Sequence, residues 1–364
     1  MMEERSSIAS SAEYQSFRST VPKRRVDVDY MGKEYTWKIF DYGPKTTPAP
    51  VLFFPPVTGT ADVYFQQLIS LTGEGYRCIS MDYPVTWSID EFVGVTLTFL
   101  QQFGLNKVHI VGASLGAFLA QKLAELTKEY RLVQSLTLIN GFTDTAAFKS
   151  APSALVVQFL PGFMLKRMLM QNFPQGRLHT DVANSIDFIV EQLETLTQPE
   201  LASRLNLNIK PSYVDPRPIL DQHIPVMIVE VQDKCAISSN VRLEMLKYYP
   251  DARIAHLKHG GNFPYLAVSS EVDMFIKIHL RQFYGTPASP TSDSELNDMF
   301  KKQASGAATA EASDSEQTAS HAASPPAHKQ RQERAPADAK PVKSRGMFDS
   351  DDDDDDDNED DETF

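Results

Sequence analysis

The sequence predicts an α/β domain: a mostly parallel sheet with helices on both faces and an inserted helical cap. Three observations predict it. From 14 to 284, short apolar runs alternate with longer helical patterns, the order that builds parallel strands joined by crossover helices. A Gly-Ala-Ser-Leu-Gly turn at 112–116 stands between a β-branched run and a helical pattern. The gap between the apolar runs at 135–140 and 226–231 is too long for a plain crossover, and it holds helical patterns at 154–169 and 182–196.

Taken in order, segments 26–30 and 35–41 alternate apolar and polar residues around Met31-Gly32, which reads as an antiparallel edge hairpin. Residues 51–54 (VLFF) are apolar throughout, as a strand covered on both faces must be. A helix over 61–72 leads to a strand at 77–82, and a helix over 89–103 leads to a strand at 107–113. Strands at 135–140, 226–231 and 253–257 complete the sheet, with helices near 238–248 and 268–283. The cap occupies about 142–222. Within it, 153–170 is rich in Leu, Met, Val and Phe, is broken at Pro161-Gly162 and carries Lys166-Arg167. That stretch is expected to bury its apolar side over the sheet; any apolar area left exposed would form a docking patch.

Residues 1–13 read as a flexible N-terminus and 14–284 as one domain. From 285 the chain turns to Ala, Ser, Pro and charge. Such a segment buries too little apolar area to offset chain entropy, so 285–364 is expected to be disordered. The formal charge of −13 belongs to its end: 349–364 hold twelve acidic side chains and no basic one, whereas 1–348 hold 35 basic and 36 acidic. A body so near neutrality, without a basic patch, sets nucleic acid aside as a partner. Two cysteines, Cys78 and Cys235, build neither a disulfide scaffold nor a Cys-rich metal site; no cofactor and no metal are expected. No apolar run reaches the ~18 residues of a spanning helix. The polar start MMEERSSIASSAEY lacks the apolar stretch of a secretory signal, so the expectation is a cytosolic protein.

Gly112-Ala113-Ser114-Leu115-Gly116 matches G-x-S-x-G. Between a strand and a helix this is the nucleophile elbow of the α/β-hydrolase fold, where small neighbours tolerate a strained serine. Ser114 then stands at a helix N-terminus, whose backbone N–H groups favour negative charge. The working order is Ser, then acid, then histidine. Asp233, just past the strand at 226–231, occupies the acid position. The histidine position falls in Lys258-His259-Gly260-Gly261-Asn262-Phe263-Pro264, and there Asn262 replaces the base. An amide cannot take the proton of Ser114, and without a base the hydroxyl is a poor nucleophile. His259 is the fallback base. Val57 and Leu115 are the oxyanion-hole candidates, although Pro55-Pro56 removes two other donors from that loop.

Four segments carry a resemblance: Pro55-Pro56-Val57-Thr58-Gly59-Thr60-Ala61-Asp62-Val63, the elbow, Glu200-Leu201-Ala202-Ser203-Arg204-Leu205, and Gly260-Gly261-Asn262-Phe263-Pro264-Tyr265-Leu266. Over about 14–285 the chain resembles the maspardin family, α/β-hydrolase-fold proteins regarded as non-catalytic adaptors. The poly-aspartate end departs from the family's short C-terminus. The resemblance implies a protein-binding adaptor or negative regulator linked to receptor signalling and to endosomal and Golgi trafficking. It would be cytosolic and peripherally associated with late endosome and trans-Golgi membranes. The implied partners are a receptor cytoplasmic tail and an aldehyde dehydrogenase-like protein. The competing reading is an esterase-like serine hydrolase with Ser114 as nucleophile, Asp233 as acid and His259 as a non-standard base.

Overall fold

Eight strands, among the described residues, lie in one sheet in the order β1-β2-β4-β3-β5-β6-β7-β8, with β1 (Arg24–Tyr30) and β2 (Lys33–Tyr42) as the antiparallel hairpin at one edge. Tyr30 pairs with Lys33 across Met31-Gly32, both at positive φ (55° and 76°), the turn geometry that matches strand twist. The chain continues through β3 (Val51–Phe54), α1 (Phe65–Thr72), β4 (Cys78–Asp82), α2 (Ile89–Gln102), β5 (Val108–Ala113), α3 (Leu115–Leu126) and β6 (Val133–Ile139). Among the described residues, the helices of the insertion include α4 (Ala154–Phe159), α5 (Gly162–Met170), α6 (Thr180–Glu194) and α7 (Gln198–Ile209). After α8 (Arg217–Asp221) come β7 (Val226–Val231), α9 (Ser239–Tyr248), β8 (Arg253–Leu257), α10 (Pro264–Ala267) and α11 (Ser269–Leu280). From β4 to β8 every pairing is parallel. The computed structural model describes residues 7–148, 154–174 and 176–292; the remainder of the expected tail, including its acidic end at 349–364, lies outside them.

Strand alternation divides the core between the two faces of the sheet. Leu52, Phe54, Ile110, Leu136 and Ile228 pack beneath Phe99 of α2, Leu119 of α3 and Met245 of α9. Phe53, Val111, Ile139 and Val229 pack beneath Leu68 of α1 and Val272 and Ile276 of α11. The cap has a small core of its own, in which Val157, Leu165, Leu169, Leu193, Leu201 and Leu205 meet.

Several expectations are corrected. Residues 7–13 are not a free leader: Ser11 caps a helix at Ala12–Thr20 by accepting the Tyr14 N–H (3.1 Å), and Ala9, Tyr14 and Phe17 are buried. The stretch expected to break at Pro161-Gly162 forms two helices, α4 and α5, because Pro161 cannot continue the first. A further cap helix, α7, was not anticipated, although Thr197 and Glu200 are spaced as a capping box and the Glu200 carboxylate accepts the Thr197 N–H (2.8 Å). The cap pair also leaves apolar surface uncovered: Val156, Phe159, Phe163 and Met164 are exposed. Finally, the packed chain extends past 284 to at least Ser292. The Ser289 carbonyl accepts from Ala49 N–H (3.0 Å), the Ala288 carbonyl meets the buried His109 ring (2.8 Å), and Thr291 bridges to Tyr76.

Candidate functional site

The elbow forms as its sequence requires. β5 ends at Ala113, α3 begins at Leu115, and Ser114 between them holds φ 49° and ψ −113°, a backbone state that persists only when its surroundings impose it. The Ser114 N–H donates to the Ile139 carbonyl (3.0 Å), which fixes the turn to β6. Both flanking glycines are obligatory. A side chain on Gly112 would run into the Gly116 backbone, and one on Gly116 into the carbonyls of Phe54 and Pro55. That close approach brings the start of α3, with Leu115, against the loop that carries Val57.

Ser114 and Val57 line a cavity of about 560 Å³ between sheet and cap, walled by Phe148, Met168, Leu169, Phe173, Leu205, Ile209 and Phe263. Its polar lining is amide-rich: Asn140, Asn172, Asn208 and Asn262 all face it. Asn140 follows β6 at φ 45° and donates to the Gly261 carbonyl (3.0 Å). The side-chain oxygens of Asn140 and Asn208 are buried without a protein partner, two acceptors that a bound molecule can satisfy. Neither residue carried a motif, and the positive φ of Asn140 was the one local trait a sequence could have hinted at.

The acid and base positions are placed differently from those of a working triad. The Asp233 carboxylate accepts the N–H groups of Gly260 (3.0 Å) and Gly261 (3.0 and 3.1 Å). It therefore holds the backbone of the histidine loop and not an imidazole. Asn262 reaches the Ser114 cavity, but its amide is engaged on both sides. Its oxygen accepts the Ala236 N–H (2.6 Å) and its nitrogen donates to the Asn172 carbonyl (3.2 Å). His259 is not among the cavity-lining residues; its ring lies against that of His179 at a centroid distance of 4.5 Å. No histidine lines the cavity among the described residues.

The loop carrying Val57 is held by buried side chains. Tyr64 donates to the Phe54 carbonyl (3.0 Å), Tyr83 donates to that of Pro55 (2.6 Å), and Arg204 of α7 donates to that of Gly59. Burial pushes both tyrosine hydroxyls well above their ordinary pKa, so they remain donors. Arg204 also lies over the Tyr83 ring (5.1 Å) and near Asp82 (3.9 Å). Beside it, the buried Asp62 carboxylate accepts from Tyr14 (2.9 Å), Arg18 (2.6 Å) and Lys23 (2.7 Å). Burial alone would raise the Asp62 pKa; Lys23, Arg18 and the Tyr14 hydroxyl overcome that and hold it below the ordinary value.

An elbow serine under a cap, at the carboxyl end of a parallel sheet, defines a protein of the α/β-hydrolase class. A family profile described as alpha/beta hydrolase fold matches residues 49–285. Among solved structures, the chain resembles a thermophilic esterase from Thermogutta terrifontis (19% identity, TM-score 0.59, 71% of this chain and 98% of that one). It also resembles a structure from a study of carboxylesterases of Nitrososphaera gargenis (15% identity, TM-score 0.58, 71% and 100%). These likenesses are of fold. Closer relatives are maspardin of Danio rerio, 50% identical over 276 residues (76% of this chain, 88% of the relative), and maspardin of Homo sapiens, 48% identical over 276 residues (76% and 89%). The chain belongs to the maspardin family of α/β-hydrolase-fold proteins. Among the described residues, no helix is long and apolar enough to cross a membrane.

Proposed function

We propose that the protein is a non-catalytic member of its fold, a binding scaffold that engages other proteins. One observation carries this reading. The side chain at the histidine position is an amide, and both ends of it tie loops together: Asn262 joins the Ala236 N–H to the Asn172 carbonyl across the mouth of the Ser114 cavity. In a hydrolase that position must accept a proton from serine and return it to the leaving group. Here the acid position supports the same structural task, since Asp233 holds Gly260 and Gly261. The elbow and its cavity survive as a shaped recess, and the exposed Val156, Phe159, Phe163 and Met164 of the cap offer an apolar surface to a partner. The adaptor role, with a receptor cytoplasmic tail or an aldehyde dehydrogenase-like protein as partner and late endosome or trans-Golgi membranes as its place, follows from family resemblance and forms part of the proposal.

Ester turnover tests it. The full chain should hydrolyse short p-nitrophenyl esters no faster than its Ser114→Ala variant. Turnover lost in both Ser114→Ala and His259→Ala would instead establish the serine hydrolase with His259 as base.

A further inference from the structure

Two imidazoles, one at the start of the cap helix α6 and one in the loop after β8, are brought together with an aspartate. His179 is the N-cap residue just before α6, Asp181 lies in the first turn of that helix, and His259 belongs to the loop after β8. The two rings approach to a centroid distance of 4.5 Å at 39° to each other. His179 Nδ1 is 3.2 Å from an Asp181 carboxylate oxygen, and the His179 and Asp181 side chains are 56% and 53% exposed. One ligating atom from each of the three residues lies within 4.8 Å of the others. A hydrophobic contact would have excluded water from these rings, and a simple ion pair would not need the second imidazole.

We propose that His179, Asp181 and His259 form a binding site for a borderline divalent cation of the zinc, cobalt or nickel kind. Two neutral imidazoles and one carboxylate suit these ions, whereas magnesium and calcium prefer oxygen ligands. Zinc bonds of about 2.0–2.2 Å place tetrahedral ligand atoms roughly 3.4 Å apart. The His179–Asp181 pair already stands at that spacing, so only the His259 ring has to close, and the exposed side of the cluster leaves room for water as the fourth ligand. The consequence is mechanical. α6 belongs to the cap, while His259 immediately precedes Gly260 and Gly261, the loop held by Asp233, and lies three residues before Asn262. A cation here would clip the cap to the loop that lines the Ser114 cavity, a second tie beside the Asn262–Asn172 bond. None of the three residues lines that cavity, and metal binding is read by cobalt spectrum and melting temperature, separately from the ester-turnover test of His259.

Titration of the full chain with cobalt(II) tests the assignment, since a four-coordinate site with two imidazoles and a carboxylate gives an intense visible d–d spectrum, whereas six-coordinate oxygen-only binding by the aspartate-rich C-terminus gives only a weak one. The wild-type chain should show one saturable site. His179→Ala and His259→Ala should each abolish its spectrum, and Asp181→Asn should weaken binding by at least about tenfold, a loss that even removing an outer partner of a metal ligand causes. Zinc should raise the melting temperature of the wild-type chain and leave that of His259→Ala unchanged, while the two melt alike without metal. Absence of saturable binding, or an unchanged cobalt spectrum in the His179→Ala/His259→Ala double variant, overturns the proposal.

Discussion

Asn262 lies in the loop expected to carry a hydrolase's base, and both ends of its side-chain amide are hydrogen-bonded to backbone. An amide both accepts and donates without changing charge, so it can join a backbone N–H to a backbone carbonyl, as it does between Ala236 and Asn172. Asn262→Ala should therefore lower stability by about 1–2 kcal/mol, the worth of two modest bonds, read by urea denaturation. A stability equal to wild type would show that the amide ties nothing. The sequence could name Ser114, Asp233 and Asn262 as candidates from their spacing. It could not name the partners, because Asn172 lies ninety positions away from Asn262 in the chain. The orphaned oxygens of Asn140 and Asn208 were equally silent. A lone asparagine carries no sequence signal until the fold turns it toward a cavity.

At the level of elements, the strands at 51–54, 226–231 and 253–257 were legible to the residue. The first two are apolar or β-branched runs bounded by turn-forming residues, and the third, RIAHL, mixes apolar and polar residues with only Ala255 and Leu257 buried. The helix at Ala12–Thr20 was not, because its apolar face is only Tyr14 and Phe17 in a polar stretch, and its place depends on a distant carboxylate. That carboxylate, Asp62, joins the N-terminal helix to the sheet through Arg18 and Lys23, and through Thr60 to Gln192 of the cap (2.8 Å). Its folded pKa lies below the unfolded value of 3.8. The stabilisation is then present in full above about pH 4 and is lost as the pH falls through the folded value, at up to about 1.4 kcal/mol per pH unit. Asp62→Asn should be markedly less stable than wild type near neutrality, and the gap should narrow in acid. A gap of constant size from neutral to acid pH would contradict the assignment.

For the whole molecule, the change of composition at 285 suggested where the domain ends, yet the chain goes on packing to Ser292. Small residues such as Ala288, Ser289 and Thr291 cover the starts of the central strands β3, β4 and β5, largely through backbone groups, which composition cannot reveal. Burial drives the His109 pKa down to about 4 while the Ala288 carbonyl opposes it, so the ring is neutral, donating from Nε2 to that carbonyl and accepting from Ser135 at Nδ1 (2.8 Å). A chain ending at 284 should lose several degrees of melting temperature, whereas one ending at 292 should melt with the full chain; equal melting of the two truncations would remove this role for 285–292. In the proposed scaffold the folded domain keeps a hydrolase architecture for binding without its chemistry. The most direct test is the intact mass of the full chain after exposure to a fluorophosphonate, compared with Ser114→Ala and His259→Ala. A non-catalytic scaffold gives no Ser114-dependent adduct. A stoichiometric adduct on Ser114 that disappears in both variants would contradict it.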